Sequence, residues 1–258
     1  MNILVFLKQV PDLVEELEVD ASGTNLDRSW IRYIPSEQDE HAVEQAILLK
    51  EAYGGSVTVA ALEIGDIDDA LFTSFAKGAD SLIRISLENA QELRSHEAAE
   101  IYAKLFRDGE YDLILTGVQA IDDLDGPVGA RLATILDIPY IGVVRGIELE
   151  PESHSVRVKK EFPGGVVAVL RSPLPIVVGI QSSESPPRYV PIARIRQAAK
   201  SASINNLSFA TGSAKNQFLV IERLYKPEQT GGAEMIEGTP EEIADRLITL
   251  FSENGLVR

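Results

Sequence analysis

The chain has no cysteine, one tryptophan and two methionines in 258 residues. Without a thiol there is no disulfide, no thiol catalysis, and no iron–sulfur or zinc site of the cysteine type. That composition fits a cytoplasmic protein. The three histidines, His41, His96 and His154, are too far apart to share a helix turn. With no HExxH, zinc hydrolysis has no support. No apolar run reaches the roughly 18 residues that a membrane span needs. The opening apolar run, Asn2–Leu7, has no basic stretch before it, so it reads as a first strand and not a signal peptide. GxGxxG, GxxxxGK[ST] and GxSxG are all missing, which removes the dinucleotide fingerprint, the P-loop and the hydrolase elbow. No residue set makes a nucleophile, a base and an orienter. The chain is therefore not expected to be an enzyme by itself.

What is there is an ordinary globular composition, 45% hydrophobic and 25% charged. The net charge of −16 argues against nucleic acid or an anionic membrane as partner. The sign is uneven along the chain. Residues 184–215 carry Arg188, Arg194, Arg196, Lys200 and Lys215 against Glu184 alone, whereas residues 228–258 carry seven acids and two arginines. Such blocks are either solvated surface or two separate contact surfaces.

Strand and helix patterns alternate over the first ~140 residues, as in a doubly wound parallel α/β domain. Asn2–Leu7, residues 56–62, 81–86 and 112–117 read as buried strands. Ser36-Glu37-Gln38-Asp39 reads as a capping box opening a helix that closes near Gly54-Gly55. Asp66 is a candidate cap for the next helix, residues 95–107 form another, and Pro127 sits in the first turn of a fourth. Residues 140–181 change to short β-like stretches around Gly164-Gly165, a small antiparallel addition to the sheet. A surface helix and an extended linker follow over 184–215. Residues 218–224 read as a late strand. Thr239-Pro240-Glu241-Glu242 opens a terminal amphipathic helix carrying Ile243, Leu247, Leu250 and Phe251. Domain limits are expected at 1–190 and 191–258.

Ligands of open α/β sheets sit beyond the carboxyl ends of the strands. That places Leu7–Asp12, Leu62–Asp66 and Gly117–Gly126 on one rim. The richest segment runs from Thr116 to Gly129: a strand end, a polar loop with Asp122, Asp123 and Asp125, and a helix start. Its amides suit a phosphate, its acids suit helix capping, and three aspartates could hold Mg²⁺. Lys8 and Asp12 after the first strand read as a structural ion pair.

The ordered set of short motifs resembles the electron transfer flavoprotein β-subunit family. Lys8-Gln9-Val10-Pro11-Asp12 and Glu40-His41-Ala42-Val43-Glu44-Gln45-Ala46 match its opening. Ala76-Lys77-Gly78-Ala79-Asp80, the segment Asp112–Asp123, Glu161 with Gly164-Gly165, Leu174-Pro175 and Pro187-Arg188-Tyr189 continue the match over roughly residues 1–200. The resemblance implies an adenine-nucleotide α-hydrolase-like doubly wound fold and a heterodimer with an α subunit. It implies a redox FAD held mainly by α, and AMP, or in bifurcating members a second FAD, in the β chain. It also implies electron donors of the acyl-CoA-type or other flavin dehydrogenases, a downstream oxidoreductase, and an arm reaching across α. By position, the nucleotide site takes Phe6, Ser36, Asp39, Leu62, Gly117, Gln119, Ala120, Asp122, Asp123, Asp125, Gly126, Val128, Gly129 and Leu132. Leu13 falls beside the flavin, Glu161 faces α, and Arg188, Tyr189, Ile192 and Ile195 fall in the dehydrogenase-recognition segment. The Gly-Asp-Thr of bifurcating members is replaced by Asp123-Leu124-Asp125.

A rival is a stand-alone nucleotide sensor of the universal-stress-protein type, whose glycine-rich phosphate loop is absent here. Another is an ATP-pyrophosphatase-like enzyme, which would need Ser-Gly-Gly where Lys8-Gln9-Val10 stands.

Overall fold

The computed structural model describes residues 1–87, 90, 93–209, 220–227, 232–233 and 235–256. Continuous apolar runs give β1 (Asn2–Leu7), β4 (Ser56–Leu62), β5 (Ser81–Ser86), β6 (Leu113–Gly117) and β10 (Ile176–Ile180). They lie in one nine-stranded sheet ordered β11-β5-β4-β1-β6-β10-β7-β8-β9. β7 is Tyr140–Glu150, β8 Ser155–Phe162, β9 Val166–Pro173 and β11 Ile204–Ser208. Every pairing from β11 to β7 is parallel. β8 and β9 add antiparallel strands, with Gly164 and Gly165 both at positive φ in the turn between them. A small second sheet pairs β2 (Gln9–Pro11) with β3 (Tyr33–Pro35).

Residues alternate between the two faces of a strand, so each face of the sheet has its own core. Ile3, Val5 and Leu7 of β1 pack with Val43, Ala46 and Ile47 of α1 (Glu37–Tyr53) and Leu71 of α2 (Ile67–Lys77). Leu4 and Phe6 face the other way, to Ala99 and Tyr102 of α3 (Ser95–Asp108) and Leu132 of α4 (Val128–Leu136). β1 is flanked by β4 and β6, so the strand order reverses there. A crevice opens at such a point.

The expected doubly wound sheet with an antiparallel addition is what the chain forms. Several local expectations are corrected. Ser36 is the N-cap residue of α1, but its side chain makes no capping bond; Asp39 is drawn elsewhere. Asp66 caps α2 by position only. Pro127 precedes α4 as its N-cap residue and is not in the first turn. The presumed linker contains β11, which pairs with β5 in register Ile204↔Leu82, after α5 (Ile192–Ser201), which packs on α2. Residues 220–224 form no strand, and 218–219 lie outside the described residues. α6 (Pro240–Glu253) has the expected capping box: Glu242 N donates to Thr239 Oγ1 at 3.4 Å, and Thr239 N donates to Glu242 Oε2 at 2.8 Å. No residue of α6 is buried.

Candidate functional site

At the carboxyl ends of β1, β4 and β6 lies a cleft of about 680 Å³. Phe6, Leu62, Ile64, Ala120 and Val128 give it apolar walls. Phe6 stacks on Tyr102 with ring centroids 3.8 Å apart and planes at 12°; such a pair is worth about 0.5–1.5 kcal/mol beyond its buried area. Leu13 and the loop around Leu26 form the outer rim, with Val220, Ile221 and Leu224 of the arm beside them. Leu224 N donates to Gly23 O at 2.7 Å, and Lys226 pairs with Glu16 at 2.6 Å.

The polar floor is built from two strand ends and one helix. Asp39, in the first turn of α1, accepts from Lys8 N at 2.9 Å and Gly117 N at 2.6 Å. The approach is so close that a Cβ on Gly117 would stand 2.7 Å from Asp39 Oδ1, which excludes any larger residue there. Burial pushes the Asp39 carboxyl up to about 7, although both amides pull it down. The Lys8 ammonium donates to Asp122 Oδ1 at 2.6 Å and Asp123 Oδ1 at 2.8 Å. Burial works against its charge, and the two carboxylates outweigh burial, so its pKa is raised. The expected Lys8–Asp12 pair does not form; Asp12 lies 3.9 Å from Arg32.

The acidic loop does not cap α4. Asp123 closes its own turn by accepting from Ala120 N at 3.0 Å. Asp125 accepts from Ser95 N at 3.1 Å, at the start of α3, and lies 3.4 Å from His96 Nδ1 and 3.7 Å from Arg131. Burial disfavours the Asp125 charge; its Ser95 and His96 partners and the Arg131 guanidinium overcome that and hold the carboxyl below its ordinary value. Among the described residues no group of acids or histidines is arranged to hold a metal ion, so the Mg²⁺ reading of the three aspartates gains nothing.

Of the residues expected at the nucleotide site, Phe6, Asp39, Leu62, Gly117, Ala120, Asp122, Asp123 and Val128 line the cleft, as does Leu13. Ser36, Gln119, Asp125, Gly126, Gly129 and Leu132 do not line it. Ser36 N bonds to Lys8 O, and Gln119 Nε2 donates to Asp123 O at 3.1 Å. Sequence reasoning missed Tyr102 as a cleft residue and named Thr116 only as the start of the acidic segment. Tyr102 gave a signal, since it shares the α3 face of Ala98 and Leu105, but that face reads equally well as core.

Two further surfaces carry expected residues. Arg188 fastens the segment before α5 to α1: its Nε meets Glu44 Oε1 at 2.8 Å, and Nη1 and Nη2 meet Glu51 at 2.6 and 3.0 Å. The Glu51 hydrogen bond, against some burial, and then the Glu44 bond raise the Arg188 pKa. Tyr189 and Ile192 project from this segment, 84% and 64% exposed, while Ile195 is half-buried. Arg188 is thus spent on α1, and the exposed basic groups of α5 are Arg194, Arg196 and Lys200. On the β8–β9 hairpin Glu161 pairs with Arg145 at 3.0 Å, among exposed Phe162, Val166 and Val169.

Residues 25–211 match the profile of the electron transfer flavoprotein domain. The chain is 30% identical over 263 residues to the electron transfer flavoprotein subunit beta of Methylophilus methylotrophus, covering 98% of each. It is 29% identical over 262 residues to that of Bacillus subtilis, covering all of both. It is 30% identical over 203 residues to that of Homo sapiens, covering 78% of each.

Proposed function

The chain belongs to the electron transfer flavoprotein family and is a β subunit of such a heterodimer, and from that premise we propose how its surfaces divide the work. The similarity along the whole chain to named β subunits carries the reading. The α subunit holds most of a shared FAD, which supplies the one- and two-electron chemistry. This chain closes over it with the rim around Leu13, where Val14 and Trp30 are also exposed. Apolar residues with no cover in the isolated chain suit a surface that seals a flavin from water.

The segment 187–200 receives the donor dehydrogenase through Tyr189 and Ile192, with Arg194, Arg196 and Lys200 orienting an acidic partner. A small contact of this kind suits fast release. Glu161 and its hairpin, the arm 220–227 and α6 face the α subunit. The amphipathic α6 has no other surface on which to bury Ile243, Leu247, Leu250 and Phe251 among the described residues. No helix of the described residues is long and apolar enough to cross a membrane. Electrons leave this carrier to a downstream oxidoreductase.

The family resemblance implies AMP, and several of the residues expected to hold it line the cleft. The residues present fit its adenosine half: apolar walls, the Phe6–Tyr102 platform, and two buried polar atoms without partners, Gln9 Oε1 and Thr116 Oγ1.

The test is an anaerobic mixing experiment. The chain is co-expressed with its α subunit, and the purified complex is mixed with substrate-reduced acyl-CoA-type dehydrogenase. Bleaching of the complex's flavin at a rate that saturates with complex supports the carrier reading; a flavin that stays oxidised rejects that donor class.

A further inference from the structure

The segment between β10 and α5, residues 181–191, has no regular structure and carries Pro186, Pro187 and Pro191. Side chains of α1 set its course. His41 Nδ1 accepts from Ser183 N at 3.2 Å and lies 2.8 Å from Ser183 Oγ. Glu44 then takes the chain at Arg188 with both carboxylate oxygens. Its Oε2 accepts the Arg188 backbone amide at 2.9 Å, and its Oε1 accepts Arg188 Nε at 2.8 Å. Glu51 holds Nη1 and Nη2 at 2.6 and 3.0 Å. His41, Glu44 and Glu51 fall on one stripe of α1, one turn and then two turns apart.

Glu44 is almost wholly buried. A buried ion pair is a poor source of net stability, so its geometry is the more telling feature. Here a single carboxylate fixes the backbone and the side chain of Arg188 at once. Successive residues of an extended chain point to opposite sides. Val190 is buried, Arg188 is turned in to Glu44, and Tyr189 between them is thrust outward. Ile192 follows as the exposed first residue of α5, a helix that buries only Ala198 of its own. The place of both exposed side chains therefore depends on the hold at Arg188.

We infer that Glu44 is a positioning residue for electron transfer. Acting through Arg188, it presents Tyr189 and Ile192 to the donor dehydrogenase in one preset arrangement. Glu44 is itself too buried to meet the donor. Holding a docking segment in its bound form removes part of the ordering cost of association. This rests on reading residues 187–200 as the donor-docking segment.

The test uses the αβ complex and a substrate-reduced acyl-CoA-type dehydrogenase. Glu44→Gln keeps the side-chain shape and an acceptor for the Arg188 amide, and loses the charge that holds the guanidinium. It is expected to raise the KM for electron transfer about tenfold, about 1.4 kcal/mol of docking. The saturating rate and the flavin content per folded complex should not change. Tyr189→Ala should raise KM on its own, and Glu44→Gln added to it should cost much less than in the wild type, because both act through one surface. Should the buried variant fail to assemble, Arg188→Lys, which loosens the same contact from its exposed side, must show the same direction of change. Trypsin gives a reading that needs no donor: cleavage after Arg188 should be slow in the wild type and several-fold faster in the variant. An unchanged KM, a lowered saturating rate with KM kept, full additivity with Tyr189→Ala, or cleavage at the wild-type rate would overturn the inference. A wild-type complex that takes no electrons from this donor fails the docking reading instead, and the cleavage rates then decide whether Glu44 sets the course of the segment.

Discussion

Asp39 and Gly117, 78 residues apart in the chain, meet at 2.6 Å between the first turn of α1 and the end of β6. The carboxyl group locks a helix start to a strand end on the floor of the cleft. Both the shape of the site and its electrostatics follow from this contact.

A pH dependence follows from Asp39. Its folded pKa of about 7 stands above the ordinary 3.8, so the folded chain binds this proton more tightly than the unfolded one. The stability it contributes is full below about pH 4, falls as pH rises toward 7, and is level above that. Asp39→Asn removes the slope. Urea unfolding from pH 4 to 8 should show the variant gaining on the wild type by up to about 4 kcal/mol across that window. Parallel profiles would mean that Asp39 does not titrate there.

Arg188 is expected to act as a clamp. Glu44 is almost wholly buried and has Arg188 as its ion-pair partner. Arg188→Ala strands that carboxylate and should cost on the order of 3 kcal/mol in denaturant unfolding. Arg188→Lys should recover only part, because an ammonium lacks the planar fork with which Arg188 holds Glu44 through Nε and Glu51 through Nη1 and Nη2. A variant as stable as the wild type would show the clamp to be ornamental.

Ile192 should behave in the opposite way. At 64% exposed it holds little of the fold. Ile192→Ala should raise the KM for electron transfer from the dehydrogenase roughly tenfold, through about 1–2 kcal/mol of lost docking. Flavin content and thermal midpoint should not change. A lowered midpoint with unchanged transfer would make the residue structural.

Removing residues 239–258 takes away a helix with no buried residue. Unfolding of the isolated chain should hardly change. Burying Ile243, Leu247, Leu250 and Phe251 on a partner is worth on the order of 6–10 kcal/mol before ordering costs. Sedimentation of the mixed subunits should therefore show much weaker pairing. Pairing at full strength would remove α6 from the interface.

The sequence carried the frame of this molecule because its strands are continuous apolar runs and its helices have one apolar face. Thr239 and Glu242 were legible because their capping bonds are local. Asp39 was not: its spacing from Ser36 reads as a local cap, whereas its carboxylate answers amides from distant strands. Lys8 likewise passes over Asp12, four residues away, for Asp122 and Asp123. β11 was hidden for a different reason. Ile204–Ser208 has two exposed asparagines, and it becomes a strand through pairing with β5, helped by Arg84 Nε donating to Asn206 Oδ1 at 2.9 Å. Long-range hydrogen bonds leave no periodic mark.

The central claim is that this chain carries electrons as one half of a flavoprotein. The most direct measurement is the visible spectrum and protein-to-flavin ratio of the chain purified alone, and of the chain purified with its α subunit. The account predicts a colourless isolated chain and a yellow one-to-one heterodimer whose shared flavin is one FAD. A stoichiometric flavin spectrum from the isolated chain, or a flavin-saturated α subunit that does not bind this chain, would contradict it.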